Sequence, residues 1–272
     1  MTRLAWLTDI HLNFLNAAQR QAFLQEVAGQ NPEALVITGD IAESHLLEAM
    51  LLEVAQALQR PIYFVLGNHD FYRSSVADTR RIATALSYRC EHLVHLPDRG
   101  AVPLGPNTAL IGHEGWADAR LGDFDASEVI LNDYLLIDDL RHWHDLVTLD
   151  RETLGQHLRR LGDEAAACFR TVLPEALDRF QRVVVATHIP PFGEACRHDG
   201  RPANDHWLPH FSCAAVGEVL REHMQRRPDR EMLVLCGHTH GGADVQILEN
   251  LRVLSGQAEY GKPCVQQVLQ LD

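Results

Sequence analysis

Five short stretches hold side chains whose types and order could do chemistry: Asp9-Ile10-His11, Gly39-Asp40, Gly67-Asn68-His69-Asp70, Thr187-His188 and Gly237-His238-Thr239-His240. Between them they offer carboxylates, a carboxamide and several imidazoles, but no thiolate. Oxygen and imidazole donors suit manganese, iron or zinc better than calcium or an iron–sulfur cluster. Seven or eight such donors exceed what one tetrahedral ion takes and are about right for two. Two divalent ions ~3.5–4 Å apart clamp a phosphate and lower the pKa of a bridging water. The expected cofactors are therefore two divalent cations, with Mn2+ or Fe2+/Fe3+ favoured and Zn2+ within range.

For these stretches to meet, the elements before them must deliver them to one place. Each follows a short, apolar, β-branched run: Leu4 to Thr8, Ala34 to Thr38, Ile62 to Leu66, Val183 to Thr187 and Leu233 to Cys236. Runs of this kind read as strands buried on both faces. Further strands are expected at Thr108 to Ile111, Val245 to Leu248, Leu251 to Leu254 and Cys264 to Leu269. Helical periodicity covers residues 16–28, with Asn16 as N-cap and Gly29 as the stop, and residues 44–59, which end before Pro61. Residues 75–87 and 151–180 also read as helices. Strand–helix alternation followed by strand-rich sequence gives an α/β fold with added antiparallel strands. In an open α/β sheet the carboxyl ends of the strands share one crevice, so loops distant in sequence converge there. One domain spanning residues 1–272 is expected, with 113–181 as an insertion or helical cap region.

Composition narrows the partners. The chain has 272 residues, 46% hydrophobic and 22% charged, as ordinary globular proteins do. With 24 basic and 37 acidic residues its net charge is −13, a field that repels phosphate backbones and argues against a nucleic-acid coat protein. Two dications beside Asp9 and Asp40 would still leave the pocket locally positive. The six cysteines are scattered without a C-x-x-C pair, which fits reduced thiols and a cytoplasmic setting. No run approaches the ~18 apolar residues of a membrane span, so no membrane partner is expected.

The five blocks, in this order and with Asp40 29 residues after His11 and Gly67 27 after Asp40, resemble the calcineurin-like metallophosphoesterase superfamily. The resemblance spans residues 9 to 240 and implies a four-layer α/β/β/α sandwich, two mixed sheets face to face with helices outside. It implies that Asp9, His11 and His240 hold one metal, that Asn68, His188 and His238 hold the other, and that Asp40 bridges them. His69 then stands beside the transferred phosphoryl group as proton donor or charge stabiliser, with Asp70 orienting its imidazole. The function implied is hydrolysis of phosphoesters by a bridging hydroxide. A catalytically inactive scaffold of the same fold would show replaced ligand positions, and none is replaced here.

Substrate class is drawn from what surrounds the blocks. The protein Ser/Thr phosphatases of the superfamily carry Asp-Arg-Gly after the second block, whereas Gly39-Asp40 continues here as Ile41-Ala42-Glu43-Ser44. The absent arginine points towards the bacterial phosphodiesterase-type branches, with a small molecule or nucleotide as substrate. Nucleases acting on DNA or RNA, and phosphomonoesterases, are the alternatives. A nuclease needs a basic groove, for which Arg80, Arg81, Arg89 and Arg221, Arg226, Arg227 are the candidates. Residues expected near substrate are Asn13, Tyr72, His113, His198 and Arg201, together with the loop from His113 to Arg120. The polar segment from Phe192 to Phe211 reads as a substrate lid. The pairs His92/His95 and His142/His144 stand outside the blocks and read as structural.

Overall fold

The computed structural model describes residues 2–144 and 148–272, with the side chains of Trp143 and His144 excepted. Its strands are β1 Thr2–Leu7, β2 Ala34–Thr38, β3 Ile62–Val65, β4 Leu93–His95, β5 Val102–Pro103, β6 Thr108–Gly112, β7 Trp143–His144, β8 Thr148–Leu149, β9 Arg182–Ala186, β10 Arg197–His198, β11 Arg201–Pro202, β12 Glu231–Cys236, β13 Ala243–Leu248, β14 Leu251–Ser255 and β15 Gln267–Leu271. The helices are α1 Ala17–Gly29, α2 Ser44–Leu58, α3 Val76–Arg89, α4 Asp133–Leu136, α5 Arg151–Arg179, α6 Leu208–Phe211 and α7 Ala214–Arg226. None of the described helices is long and apolar enough to cross a membrane.

Two mixed sheets carry the architecture. The first runs β15-β1-β2-β3-β4 and the second β13-β14-β12-β9-β6-β5. Strands β1 to β4 are parallel, with β15 antiparallel at the edge. In the second sheet β6, β9, β12 and β14 are parallel, and β5 and β13 are antiparallel edges. Alternation of side chains along each strand divides the apolar residues between two faces. Leu4, Trp6 and Val36 of the first sheet meet Leu110, Val184 and Leu235 of the second, forming the layer between the sheets. Leu7, Leu35, Ile37 and Phe64 face the other way, onto α1 and α2 through Leu24, Val27, Leu47 and Leu51. Val183, Val185, Val234 and Val253 face α5 and α7 through Phe169, Leu173, Val216 and Leu220. The result is the expected order of layers, helix, sheet, sheet, helix.

Local chemistry explains the element ends. Asn16 caps α1 reciprocally with Gln19 at 3.0 and 2.9 Å, and Asp150 opens α5 by accepting from the Thr153 N–H at 3.0 Å. Two expectations change. The last strand begins at Gln267, not Cys264, because the Gln266 amide is engaged with the Gln257 backbone and holds the preceding residues as a loop. Helix α7 was not anticipated, although its buried Val216, Val219, Leu220 and Met224 recur at helical spacing. Within 113–181, α5 is not a cap. It covers the outer face of the second sheet beside α7, and it is the stretch before it that reaches the crevice, as Leu131, Asn132 and Asp133.

Candidate metal centre

The loops after β1, β2, β3, β9 and β12 meet at the carboxyl ends of both sheets, and the backbone there is strained. Asp9, His11, Asp40, His238 and His240 all adopt left-handed φ angles of 49°, 39°, 53°, 71° and 55°. Such a conformation costs a non-glycine residue roughly 1–3 kcal/mol and persists only where neighbours over-determine it. They do. The Asp9 N–H donates to the Gly39 carbonyl at 3.1 Å and the His11 N–H to the Asp40 carbonyl at 2.9 Å. The His238 N–H donates to the Asp9 carboxylate at 3.0 Å and the Gly237 N–H to the His188 carbonyl at 2.9 Å. Gly39, at φ +91°, leaves room for His188, whose Nδ1 would lie 2.6 Å from an added Cβ.

Two groups of ligand atoms result. In the first, Asp9, His11, Asp40 and His240 offer atoms all within 4.8 Å of one another. His11 Nε2 lies 3.6 Å from Asp40 Oδ2, and His240 Nε2 lies 3.4 Å from Asp9 Oδ1. In the second, Asn68 Oδ1 stands 2.9 Å from both His188 Nε2 and His238 Nδ1, and His188 Nε2 is 3.4 Å from Asp40 Oδ1. Asp40 thus turns one oxygen to each group, where a bridging ligand would sit.

The second group also shows that a cation fits. His188 Nδ1 is 2.8 Å from the Thr38 carbonyl, so its proton belongs on Nδ1 and Nε2 carries a lone pair. His238 Nε2 is 2.9 Å from the His210 carbonyl, which places that proton on Nε2 and a lone pair on Nδ1. Asn68 Nδ2 donates to Asp133 at 2.8 Å, leaving Oδ1 turned inward. Burial pushes both imidazoles below their ordinary pKa, His238 to about 3, so neither carries a second proton at neutral pH. Two ring-nitrogen lone pairs therefore each face the Asn68 oxygen at 2.9 Å with no hydrogen between. That is repulsive until a cation occupies the middle, and ring nitrogens oriented by a carbonyl behind them are how proteins hold divalent metals. Burial, with Asp9 and Asp70 nearby, also pushes the Asp40 carboxyl well above its usual range, a cost that a neighbouring cation would remove. The residues present fit two metal ions.

The remaining expected residues divide. His69 lines the groove above the ligands, with Nε2 3.9 Å from Asp40 Oδ2 and its backbone N–H on Asp40 Oδ1 at 2.9 Å. Asp70 does not orient the His69 imidazole. Its buried carboxylate accepts the N–H groups of Ile41, Ala42 and Gly67 at 2.8, 2.8 and 2.7 Å, tying the second block to the third from below. Tyr72 lines the groove, stacks on the His69 ring at 4.3 Å and gives its hydroxyl to Asp133 at 2.8 Å. His198 also lines it, packed on Trp207 at 3.9 Å, while Arg201 faces an adjoining hollow that shares His198 and Trp207. The segment from Phe192 to Phe211 thus forms a wall of the groove.

His113 and Asn13 do not reach it. His113 is buried against Phe169 of α5, because its loop turns inward so that Glu114 can bond Arg80 at 2.6 Å. Asn13 borders a separate shallow hollow with Glu43, His45 and Arg73. From the same loop, Trp116 packs on Phe71, and Asp118 pairs with Arg120 and caps α7 through the Ala215 N–H at 2.8 Å. The arginine sets form no basic groove. Arg80, Arg81 and Arg89 bond Glu114, Asp78 and Glu48, Arg226 and Arg227 bond Glu222 and Asp178, and Arg221 lies over the Phe192 ring. His95 is buried and bonded to Asp98, His92 is half-buried, and His142 bonds the Asp139 carbonyl; the side chain of His144 lies outside the described residues.

Several residues of the site escaped the reading of the sequence. Tyr260 lies across the ligands, with its ring 4.7 Å from His11 and 4.9 Å from His240, and Phe14 packs on it at 5.0 Å. Trp207 and Phe211 form the opposite wall, stacked at 5.0 Å. Asp133 stands behind Asn68. The groove between these walls has a volume of about 460 Å3, and no lysine or arginine is among the described residues that line it.

The family model described as calcineurin-like phosphoesterase matches residues 2–242. Among solved structures, the chain is similar to the phosphopantetheinyl hydrolase PptH of Mycobacterium tuberculosis, at 14% identity and a TM-score of 0.67 over 99% of this chain and 96% of that one. It is also similar to a dimetal phosphatase of Danio rerio, at 17% identity and a TM-score of 0.58 over 94% of this chain and 87% of that one. At such identities the likeness is one of fold. No curated protein sequence matches the chain.

Proposed function

The chain belongs to the calcineurin-like phosphoesterase family, and on that premise we propose that it hydrolyses phosphodiesters of small molecules at two divalent metal ions. Phosphoester hydrolysis is the chemistry of the family. One observation carries the diester: the groove beside the candidate ligands has aromatic walls and no cationic side chain among the described residues. A monoester dianion, or a polynucleotide with its next phosphate, would need positive charge beyond the metals. A diester bears one negative charge, which the metals can hold, and its second substituent can lie against Tyr72, Trp207, Phe211 and Tyr260. The similar Danio rerio protein is a dimetal phosphatase, which supports a pair of ions. Ligands from both sheets contribute, so the reading treats residues 1–272 as one working unit.

When bound, the metals would polarise the phosphoryl oxygens and supply a water nucleophile at neutral pH. Asp9, His11 and His240 would hold one, Asn68, His188 and His238 the other, and Asp40 both. The protein's own contribution is orientation and exclusion of water. The Thr38 and His210 carbonyls fix the tautomers of His188 and His238. Burial and the surrounding imidazoles push the His69 pKa far down, so this ring is neutral at pH 7. A neutral ring donates an N–H hydrogen bond to a phosphoryl or leaving oxygen, a role of charge stabilisation more than of acid. Tyr72 fixes the plane of that ring by stacking.

The test is a Mn2+-supplemented panel of bis(p-nitrophenyl) phosphate, p-nitrophenyl phosphate and cyclic nucleotides. We expect kcat/KM to be at least tenfold higher on a diester than on p-nitrophenyl phosphate. The reverse order would overturn the diester reading, and a salt-sensitive shift of DNA in a gel would favour a nuclease.

A further inference from the structure

We propose that Asp133 is a positioning residue of the metal centre, selecting the amide orientation of Asn68 that leaves the second metal position open. The inference rests on the reading that Asn68, His188 and His238 hold a cation. It goes beyond that reading by assigning a role to a carboxylate outside the five blocks.

The geometry is specific. Asp133 opens the short helix α4 and is 5% exposed. Its Oδ1 accepts two hydrogen bonds of 2.8 Å, one from Asn68 Nδ2 and one from the Tyr72 hydroxyl. A carboxamide can sit either way round in a pocket, and the bonds of its two ends decide which. Turned over, Asn68 would place its NH2 beside His188 Nε2 and His238 Nδ1, where both lone pairs would accept hydrogens. The three groups would satisfy one another, and no lone pair would be left for a metal. What forbids this state is Asp133, because the turned amide would set its oxygen against a carboxylate oxygen at 2.8 Å. Two oxygens without a hydrogen between them repel, whereas Nδ2–H on a carboxylate is a charge-assisted bond.

The same oxygen reaches the other half of the site. Through the Tyr72 hydroxyl it holds the ring that stacks on His69 at 4.3 Å and 28°. One side chain thus governs both the openness of the second metal position and the plane of the groove histidine. Outer partners of metal ligands typically contribute 10–100-fold in metal affinity.

Mn2+ binding to the purified protein, followed by isothermal calorimetry with elemental analysis, provides a readout independent of turnover. Wild type should take up two equivalents. Asp133→Ala should bind the first as wild type does and the second 10–100-fold more weakly. Asp133→Asn keeps an oxygen for both hydrogen bonds but can also turn and give its NH2 to a turned Asn68 oxygen, so its second affinity should fall between those of wild type and Asp133→Ala. Should the alanine variant fail to fold, Asp133→Leu, close in shape to Asp, carries the same expectation. Two equivalents in wild type with an unchanged second affinity in both Asp133→Ala and Asp133→Leu would overturn the role of Asp133. A wild type that binds only one equivalent would instead overturn the two-metal reading beneath it.

Discussion

Acid sensitivity of the fold should trace in part to His210. This residue of α6 is fully buried, with Nε2 2.9 Å from the Ser127 hydroxyl and Nδ1 bonded to the Tyr134 hydroxyl. Burial, with Arg151 nearby, pushes its pKa from 6.5 down to about 4. In the unfolded chain the imidazole titrates at about 6.5. Between those two values the unfolded state holds a proton that the folded state lacks, so stability falls as pH is lowered through this window and rises as pH is raised. Above about 6.5 both states are neutral and the contribution vanishes. Integrated from pH 7 to 4.5, a shift of this size removes roughly 2.5 kcal/mol, and about 3 kcal/mol once both states are charged. Burial lowers His11, His69, His113, His188 and His238 in the same direction, so the assay is a difference: urea denaturation of wild type and His210→Gln across pH 7 to 4.5. Gln can accept from Tyr134 and donate to Ser127 without titrating. Wild type should lose roughly 2.5 kcal/mol more than the variant over this range. Parallel curves, differing by less than about 0.5 kcal/mol, would refute the reasoning. The site depends on this helix, because the His210 carbonyl holds the ring proton of His238.

Gly67→Ala would place a Cβ 2.2 Å from Asp40 Oδ1 and 2.3 Å from the Asp40 nitrogen, and should cost about 1–3 kcal/mol in urea denaturation together with most of the activity. Arg80→Met should leave Glu114, 1% exposed, charged and without its guanidinium, at a cost of about 3–5 kcal/mol read as a fall in melting temperature. Removal of divalent metal by a chelator should lower stability, and Mn2+ at a hundred times its Kd should restore about 2.7 kcal/mol, whereas a melting temperature indifferent to both treatments would argue against ligation.

The candidate metal ligands could be located because each lies just past the end of a strand, and a strand is the element that apolar, β-branched sequence marks most clearly. Ala34–Thr38 is the plainest case, a run of buried residues that ends one residue before Gly39-Asp40. Asp133 and Tyr260 lack any such marker. One opens a four-residue helix inside a long irregular stretch, and the other sits in the loop before β15, so no periodicity announces where either side chain points. Asp70 shows the complementary error. Adjacency to His69 suggested a partnership, but in a tight 3-10 turn successive side chains diverge, and this one turns down to the N–H groups of Ile41, Ala42 and Gly67. His113 was misjudged for a related reason: it follows a strand in the same sheet, but the ion pair of Glu114 with Arg80 draws its loop inward.

The left-handed backbone at Asp9, His11, Asp40, His238 and His240 has an evolutionary corollary. At each of these positions glycine would sit at ease where the present residue is contorted, at the expense of added freedom in the unfolded chain. The side chains pull the other way, because the Asp9 and Asp40 carboxylates accept the His238 and His69 N–H groups and His238 holds the His210 carbonyl. Drift to glycine would therefore cost the scaffold least at His240, whose imidazole is partly exposed.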